Sequence, residues 1–303
     1  MTGRSSRTAR GIYIANLVGQ CAIVVTGAVV RLTGSGLGCP TWPECVEGSY
    51  LPTARQAETW HKYVEFGNRL LTFVLVALAI AAVVAAIWDA RSRRRAGGPA
   101  RPVILLLAAV PILGTVAQAV LGGITVLTGL HPASVSAHFL LTMAIIAGNV
   151  ALVVRSGDAG DRPVVFLVPR PITVLSWLLV GVSAMVVFLG VIVTGSGPHS
   201  GDALSENRFS IDPRTIAWLH ADVVLLFLGL TVGLIIALAL VPAPADARRR
   251  AWLLLGIALA QGVLGYTQYF TGLPIALVTI HAMGAALVWA TALFIPAALR
   301  TRG

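Results

Sequence analysis

Eight stretches of the chain hold almost only apolar side chains for 20 residues or more: 11–33, 65–88, 103–127, 134–154, 172–194, 215–241, 251–270 and 276–298. A helix needs about 20 such residues to cross about 30 Å of hydrocarbon, so each stretch is expected to span a membrane. Arginine clusters or Gly/Pro turns separate them. The first ten residues carry Arg4, Arg7 and Arg10 and run into the first span without a small-residue cleavage site, so span one is expected to be retained. The expected fold is an all-α integral membrane protein of eight transmembrane helices.

Composition agrees: 57% of the residues are hydrophobic and 11% charged, against roughly a quarter charged in an ordinary soluble domain. The positive charges settle the orientation. The N-terminus, the 89–102 loop with Arg91, Arg93, Arg94, Arg95 and Arg101, the 155–171 loop with Arg155, Arg162 and Arg170, the Arg248-Arg249-Arg250 loop and the tail with Arg300 and Arg302 alternate with spans on one face. Cytoplasmic loops retain Lys and Arg, so both termini are expected in the cytoplasm. A net charge of +10 would suit nucleic acid, but arginines lined up beside spans exclude that class. The Arg-rich, Lys-poor, Ala-rich usage is that of a high-GC bacterium, of actinobacterial type, which puts the chain in a bacterial plasma membrane.

The chain also repeats itself. Gln118-Ala119-Val120-Leu121-Gly122, Thr128-Gly129-Leu130 and His138 recur 143 residues later as Gln261-Gly262-Val263-Leu264-Gly265, Thr271-Gly272-Leu273 and His281. Thr33-Gly34-Ser35-Gly36 after span one is echoed by Thr194-Gly195-Ser196-Gly197 after span five. Four spans separate the copies, so both halves have the same orientation. The expected architecture is two pseudo-symmetric four-helix bundles, 1–156 and 157–303.

All six histidines, His61, His131, His138, His199, His220 and His281, fall on the side away from the arginines. An ionisable residue inside a span is a functional candidate, and His138, His220 and His281 fit that description. His220 and His281, at similar depth in spans six and eight, are placed to ligate a haem iron from both sides; otherwise they are core histidines bonded to carbonyls. The repeat asks for a fourth ligand in span two, where Asn68 stands at the position of His220. His61 lies seven residues earlier, roughly 10 Å along a helix. Glu65 lies one turn before Arg69, which reads as an i,i+4 ion pair or as a carboxylate that moves protons beside a reactive centre. Asp222 points away from His220 and reads as structural. Cys39 and Cys45, in the outer loop, are expected to be bridged, as a staple or as a redox step. Their spacing lacks the C-x2-C of a zinc site. Cys21 reads as a small buried hydrophobe.

Taken together, Arg31-Leu32-Thr33-Gly34-Ser35-Gly36-Leu37-Gly38-Cys39-Pro40 with Trp42-Pro43 and Cys45, Glu65-Phe66-Gly67-Asn68-Arg69, the two Gln-x-Val-Leu-Gly to Thr-Gly-Leu segments, and His138, His220 and His281 in order resemble the haem A synthases of the CtaA/Cox15 type over essentially the whole chain. The resemblance implies oxidation of a methyl group of haem O to the formyl group of haem A, for haem-copper terminal oxidases. It implies a resident haem b on His220 and His281, haem O facing His138 in the N-terminal half, Glu65 as the family's essential glutamate, and a disulfide between Cys39 and Cys45. The family's usual histidine is replaced by Asn68, which leaves one-sided ligation by His138, a ligand from His61, or a weak contact from Asn68. Arg69 completes the expected cofactor-binding set. Implied partners are the haem O synthase, the assembling oxidase, the lipid bilayer, an unidentified electron donor and a second copy of the chain. Two other classes use some of the same features: a quinol-linked dihaem b-type electron carrier, which leaves its haems unaltered, and a secondary transporter, against which stand the few polar residues at mid-membrane.

Overall fold

In the computed structural model, residues 2–54, 56, 59–199, 201–202 and 207–303 are described, with side chains from residue 7 onward. Eight long helices dominate: α1 (Thr2–Leu32), α2 (His61–Arg95), α3 (Pro102–Leu127), α4 (Pro132–Gly157), α5 (Arg170–Ser196), α6 (Pro213–Ala239), α7 (Ala245–Phe270) and α8 (Ile275–Ala298). Each is long and apolar enough to cross a bilayer, so the protein is an all-α multi-pass membrane protein. Among the described residues the strands are one antiparallel pair of two residues each, β1 (Val165–Phe166) and β2 (Arg300–Thr301), which ties the tail to the α4–α5 connection.

The helices outrun the apolar stretches mainly at their charged ends. Arg91–Arg95 belong to α2, and Arg248, Arg249 and Arg250 to the first turns of α7, so these arginines are not in loops. Ion pairs Asp89–Arg93 and Asp246–Arg250, one turn apart, let the helices continue into water. At the other end, α2 starts at His61, four residues before its apolar stretch.

Proline opens several helices where the first N–H lacks a partner anyway: Pro102, Pro132 and Pro213 are first residues. Asp212 caps α6, accepting from the Thr215 N–H at 2.8 Å and hydroxyl at 2.7 Å. These bonds hold the Asp212 carboxyl below the usual range. The repeated Thr-Gly-Leu segments adopt the same turn: Gly129 and Leu130 have φ of 58° and 59°, Gly272 and Leu273 of 79° and 58°. Leucine rarely takes that conformation. Leu130 is held in it by burial, its side chain filling the space beside Gly36 and Gly201.

Packing closes two rings. α1 lies against α2, α2 against α3, α3 against α4 and α4 against α1; α5, α6, α7 and α8 close in the same way. The rings meet where α8 packs on α1 and α4, and α4 on α5, with the Trp289 indole N–H donating to the Met143 carbonyl at 2.8 Å. Within α3–α4 the helices approach through glycine, as lipid-embedded helices do. A Cβ at Gly114 would lie 2.5 Å from Ile145 Cγ1 and one at Gly148 2.5 Å from Val110 Cγ1. Gly114→Ala is therefore expected to lower stability by about 1–3 kcal/mol through overpacking, measurable as a fall in the thermal midpoint in detergent.

At the end holding the termini, Arg101 is buried and donates to the carbonyls of Arg155 and Asp158, while Arg155 and Arg300 pair with Asp158 and Arg155 also with Asp161. These residues knit α3, α4 and the tail together as well as marking a face of the membrane.

Candidate functional site

The even-numbered helices begin at the end of the molecule opposite the termini, and their first two turns carry the histidines. His138 is the seventh residue of α4 and His281 the seventh of α8; His220 is the eighth of α6, and Asn68 the eighth of α2. Equal distance from the helix start places Asn68 at the level that His220 holds in the other ring.

In the second ring, glycines on the neighbouring helices clear room for both imidazoles. A Cβ at Gly190 of α5 would lie 3.2 Å from His220 Cε1, and one at Gly265 of α7 3.5 Å from His281 Cε1. The two rings are within electrostatic range of each other. Both Nδ1 atoms are buried without a hydrogen bond, and the Val186 carbonyl lies beside His220. Among the described residues no three His, Cys, Asp or Glu side chains gather into a cage for a bare ion. Paired histidines suit an iron whose equatorial positions a porphyrin already fills.

The first ring keeps half of this arrangement. Gly122 of α3 gives His138 its room, a Cβ there lying 3.3 Å from His138 Cε1, and His138 Nδ1 is likewise buried and unpartnered. Gln118 steadies the turn, its amide N–H donating to the His138 carbonyl at 3.0 Å and to the Thr142 hydroxyl at 2.7 Å. Asn68 turns its amide oxygen to α1, accepting from the Thr26 hydroxyl at 2.7 Å.

Over this ring folds the 33–60 connection. Cys39 and Cys45 are disulfide-bonded and buried. Trp42 packs flat on Gly123, next to the glycine that faces His138. Gly38 sits so close to the start of α2 that a Cβ would meet the His61 carbonyl at 2.7 Å. The fastening is Glu65 with Arg69. Glu65 accepts the Cys39 N–H at 2.6 Å on one oxygen and Arg69 at 2.6 and 3.1 Å on the other. Arg69 also donates to the carbonyls of Cys39, Thr41 and Glu44 at 2.8–3.2 Å. The ion pair read from the spacing exists, but its main consequence is tertiary: it binds the disulfide loop to the mouth of the ring.

The remaining candidates are elsewhere. His61 is the first residue of α2, its Nδ1 2.9 Å from the Ser35 hydroxyl and its ring stacked on Trp60. His131 caps α4, and His199 Nε2 reaches the Leu273 carbonyl at 3.1 Å. Asp222 is exposed, and Cys21 is half-buried with a free thiol. Arg31, which the sequence did not single out, donates to the carbonyls of His199 and Thr194 at 2.9 and 3.0 Å and so joins the mouths of the two rings. Its place at the end of span one, away from the arginine-rich face, was the available signal.

Comparison with known proteins places this geometry in a family. The model of the cytochrome oxidase assembly protein family matches residues 10–293. The chain is similar to haem A synthase from Methylobacterium sp. (strain 4-46), 29% identical over 88% of this chain and 85% of that protein. It is similar to haem A synthase from Lysinibacillus sphaericus, 31% identical over 62% of this chain and 58% of that one. With haem A synthase from Geobacillus thermodenitrificans it is 35% identical over 36% of this chain, and the match spans 30% of that protein's length.

Proposed function

Because the chain belongs to the cytochrome oxidase assembly protein family, we propose that it is a haem A synthase, oxidising a methyl group of haem O to the formyl group of haem A for haem-copper oxidases. The observation that carries this reading is the set of buried histidines standing in space cleared by glycines, His220 and His281 in one ring and His138 in the other. In the half 157–303, His220 and His281 would hold a permanent haem b. The half 1–156 receives haem O on His138, with the position across from it left to Asn68 rather than to a second strong ligand. The bound haems supply electron transfer and oxygen chemistry; the protein orients them and excludes water. Gly122, Gly190 and Gly265 let the imidazoles stand clear of their neighbours. Glu65, Arg69 and the disulfide loop close the mouth of the first ring, and the carboxylate of Glu65 lies where it can exchange a proton with a group bound beneath the loop. His61, engaged with Ser35 at the helix start, supports the loop and is not the missing ligand.

In this reading the termini are cytoplasmic and the histidines lie near the outer face of a bacterial plasma membrane, where the disulfide persists. Haem O arrives from its synthase, sideways through lipid, and haem A leaves to the assembling oxidase; a second copy of the chain is a possible neighbour.

The test is co-expression with a haem O source in cells lacking haem A, followed by extraction and identification of the haems by chromatography and mass. Haem A is expected with the intact chain and not with His138→Ala, whereas His281→Ala is expected to lose the copurifying haem b. Haem b or haem O that copurifies and never changes would replace this reading with a dihaem electron carrier.

A further inference from the structure

Below His138 the first ring contains polar side chains that its own contacts do not satisfy. On α1, Tyr13, Asn16 and Gln20 lie one and two turns apart on one face and are at most 2% exposed. The Tyr13 hydroxyl, both ends of the Asn16 amide and the Gln20 amide nitrogen are buried without a hydrogen bond. On α4, Asn149 is fully buried; its amide nitrogen donates to the Ile145 carbonyl, and its oxygen has no partner. The Gln118 amide oxygen and His138 Nδ1 are in the same condition.

Helix register sets the groups of α1 and α4 at matching depths. Arg10 of α1 lies over Gly157 of α4, filling the space a Cβ there would take. Eight residues along each antiparallel helix from that crossing, about 12 Å, Asn149 comes level with the stretch between Asn16 and Gln20. Asn149 lies eleven residues, about three full turns, from His138, so the two share a face of α4, with Thr142 between them bonded to Gln118. At the lower end Tyr13 is within electrostatic range of Asp89 and Arg93, at the end of α2.

The second ring lacks this set. By the offset of 143, Thr142 and Asn149 correspond to Ala285 and Ala292; by the Thr33 to Thr194 offset, Tyr13, Asn16 and Gln20 correspond to Val174, Trp177 and Gly181. Thr173, Ser183 and Ser196 of α5 carry unpartnered hydroxyls and Gln268, in the last turn of α7, an unpartnered amide oxygen; a hydroxyl has the carbonyl of its own preceding turn within a rotation's reach, and Gln268 stands at the helix end rather than in the interior below the histidines. A buried amide must satisfy both ends, and in hydrocarbon no lipid atom will do so.

We propose that Tyr13, Asn16, Gln20 and Asn149 hold a column of internal water that enters beside Asp89 and Arg93 at the arginine-rich face and ends beneath Gln118 and His138. Water is the ligand that fits, because it both donates and accepts and makes about three bonds in such a site. The column gives His138 a protonic connection to that face. Its use in catalysis rests on the reading above; its existence does not.

The experiment is hydroxyl-radical footprinting by radiolysis of the full chain in lipid nanodiscs, with rapid mixing into ¹⁸O-labelled water and oxidation read by mass spectrometry. Buried residues are labelled only where water lies beside them. Tyr13 is expected to be oxidised several-fold faster than Phe227, an equally buried aromatic of the second ring, and to take up ¹⁸O from the mixed solvent. In Asn16→Leu/Asn149→Leu its oxidation is expected to fall to the Phe227 level while the haem absorption bands remain. Tyr13 as inert as Phe227 in the unaltered protein, or labelled without ¹⁸O uptake, overturns the column whether or not the chain makes haem A.

Discussion

Asn68→His is expected to turn the first ring into a copy of the second. The eighth residue of α2 is level with the eighth of α6, so an imidazole there meets a haem opposite His138 as His220 does opposite His281. In the unaltered protein loaded with both haems, electron paramagnetic resonance is expected to show one low-spin centre and one high-spin centre, because His138 supplies one strong ligand and Asn68 is drawn to Thr26. In the variant both centres become low-spin. Conversion of haem O is expected to continue, because histidine is the residue the family usually carries at this position. Two low-spin centres in the unaltered protein would show that another side chain already fills that position.

Loss of Glu65 is expected to be structural before it is chemical. In Glu65→Ala the Cys39 N–H and the Arg69 guanidinium lose their acceptor in a largely buried setting, at a cost of about 3 kcal/mol. The 33–60 loop should loosen. Reduction of Cys39–Cys45 by dithiothreitol should then proceed faster, and the thermal midpoint should fall. Glu65→Gln keeps an amide oxygen for the Cys39 N–H and is expected to retain most of the loop's protection while losing the ability to exchange a proton. If Glu65→Ala is reduced and melts like the unaltered protein, the carboxylate does not anchor the loop; if both variants keep full haem A production, it has no chemical role either.

The positions that sequence reading found and those it missed differ in where their partners lie. His138, His220 and His281 stood out because a titratable ring in an apolar run is costly and because two of them recur at a fixed offset. Glu65 and Arg69 stood out as a one-turn pair, but their bonds to the carbonyls and N–H of Cys39, Thr41 and Glu44 cross 25 to 30 residues of chain, which no local pattern reveals. The arginines near span ends were read as a one-sided set of loop charges. Burial of Arg101 against the ends of α4 and the pairing of Arg155 and Arg300 with Asp158 needed the folded tail. The polar residues of α1 and α4 looked too sparse to matter, since Tyr13, Asn16, Gln20 and Asn149 are scattered singly among apolar neighbours. Packing buries all four.

The sequence by itself determined the eight helices and singled out the three histidines inside spans. Lipid leaves a long apolar run little choice of conformation, and histidine is recognisable wherever it is placed. The tertiary structure decided which side chains share a space: that Gly190, Gly122 and Gly265 clear the imidazoles, that the disulfide loop closes over one ring, and that Asn68 answers to Thr26. These follow from helix rotation and register, which close packing of side chains against neighbouring helices sets and which the apolar pattern, uniform around most of each helix, does not encode.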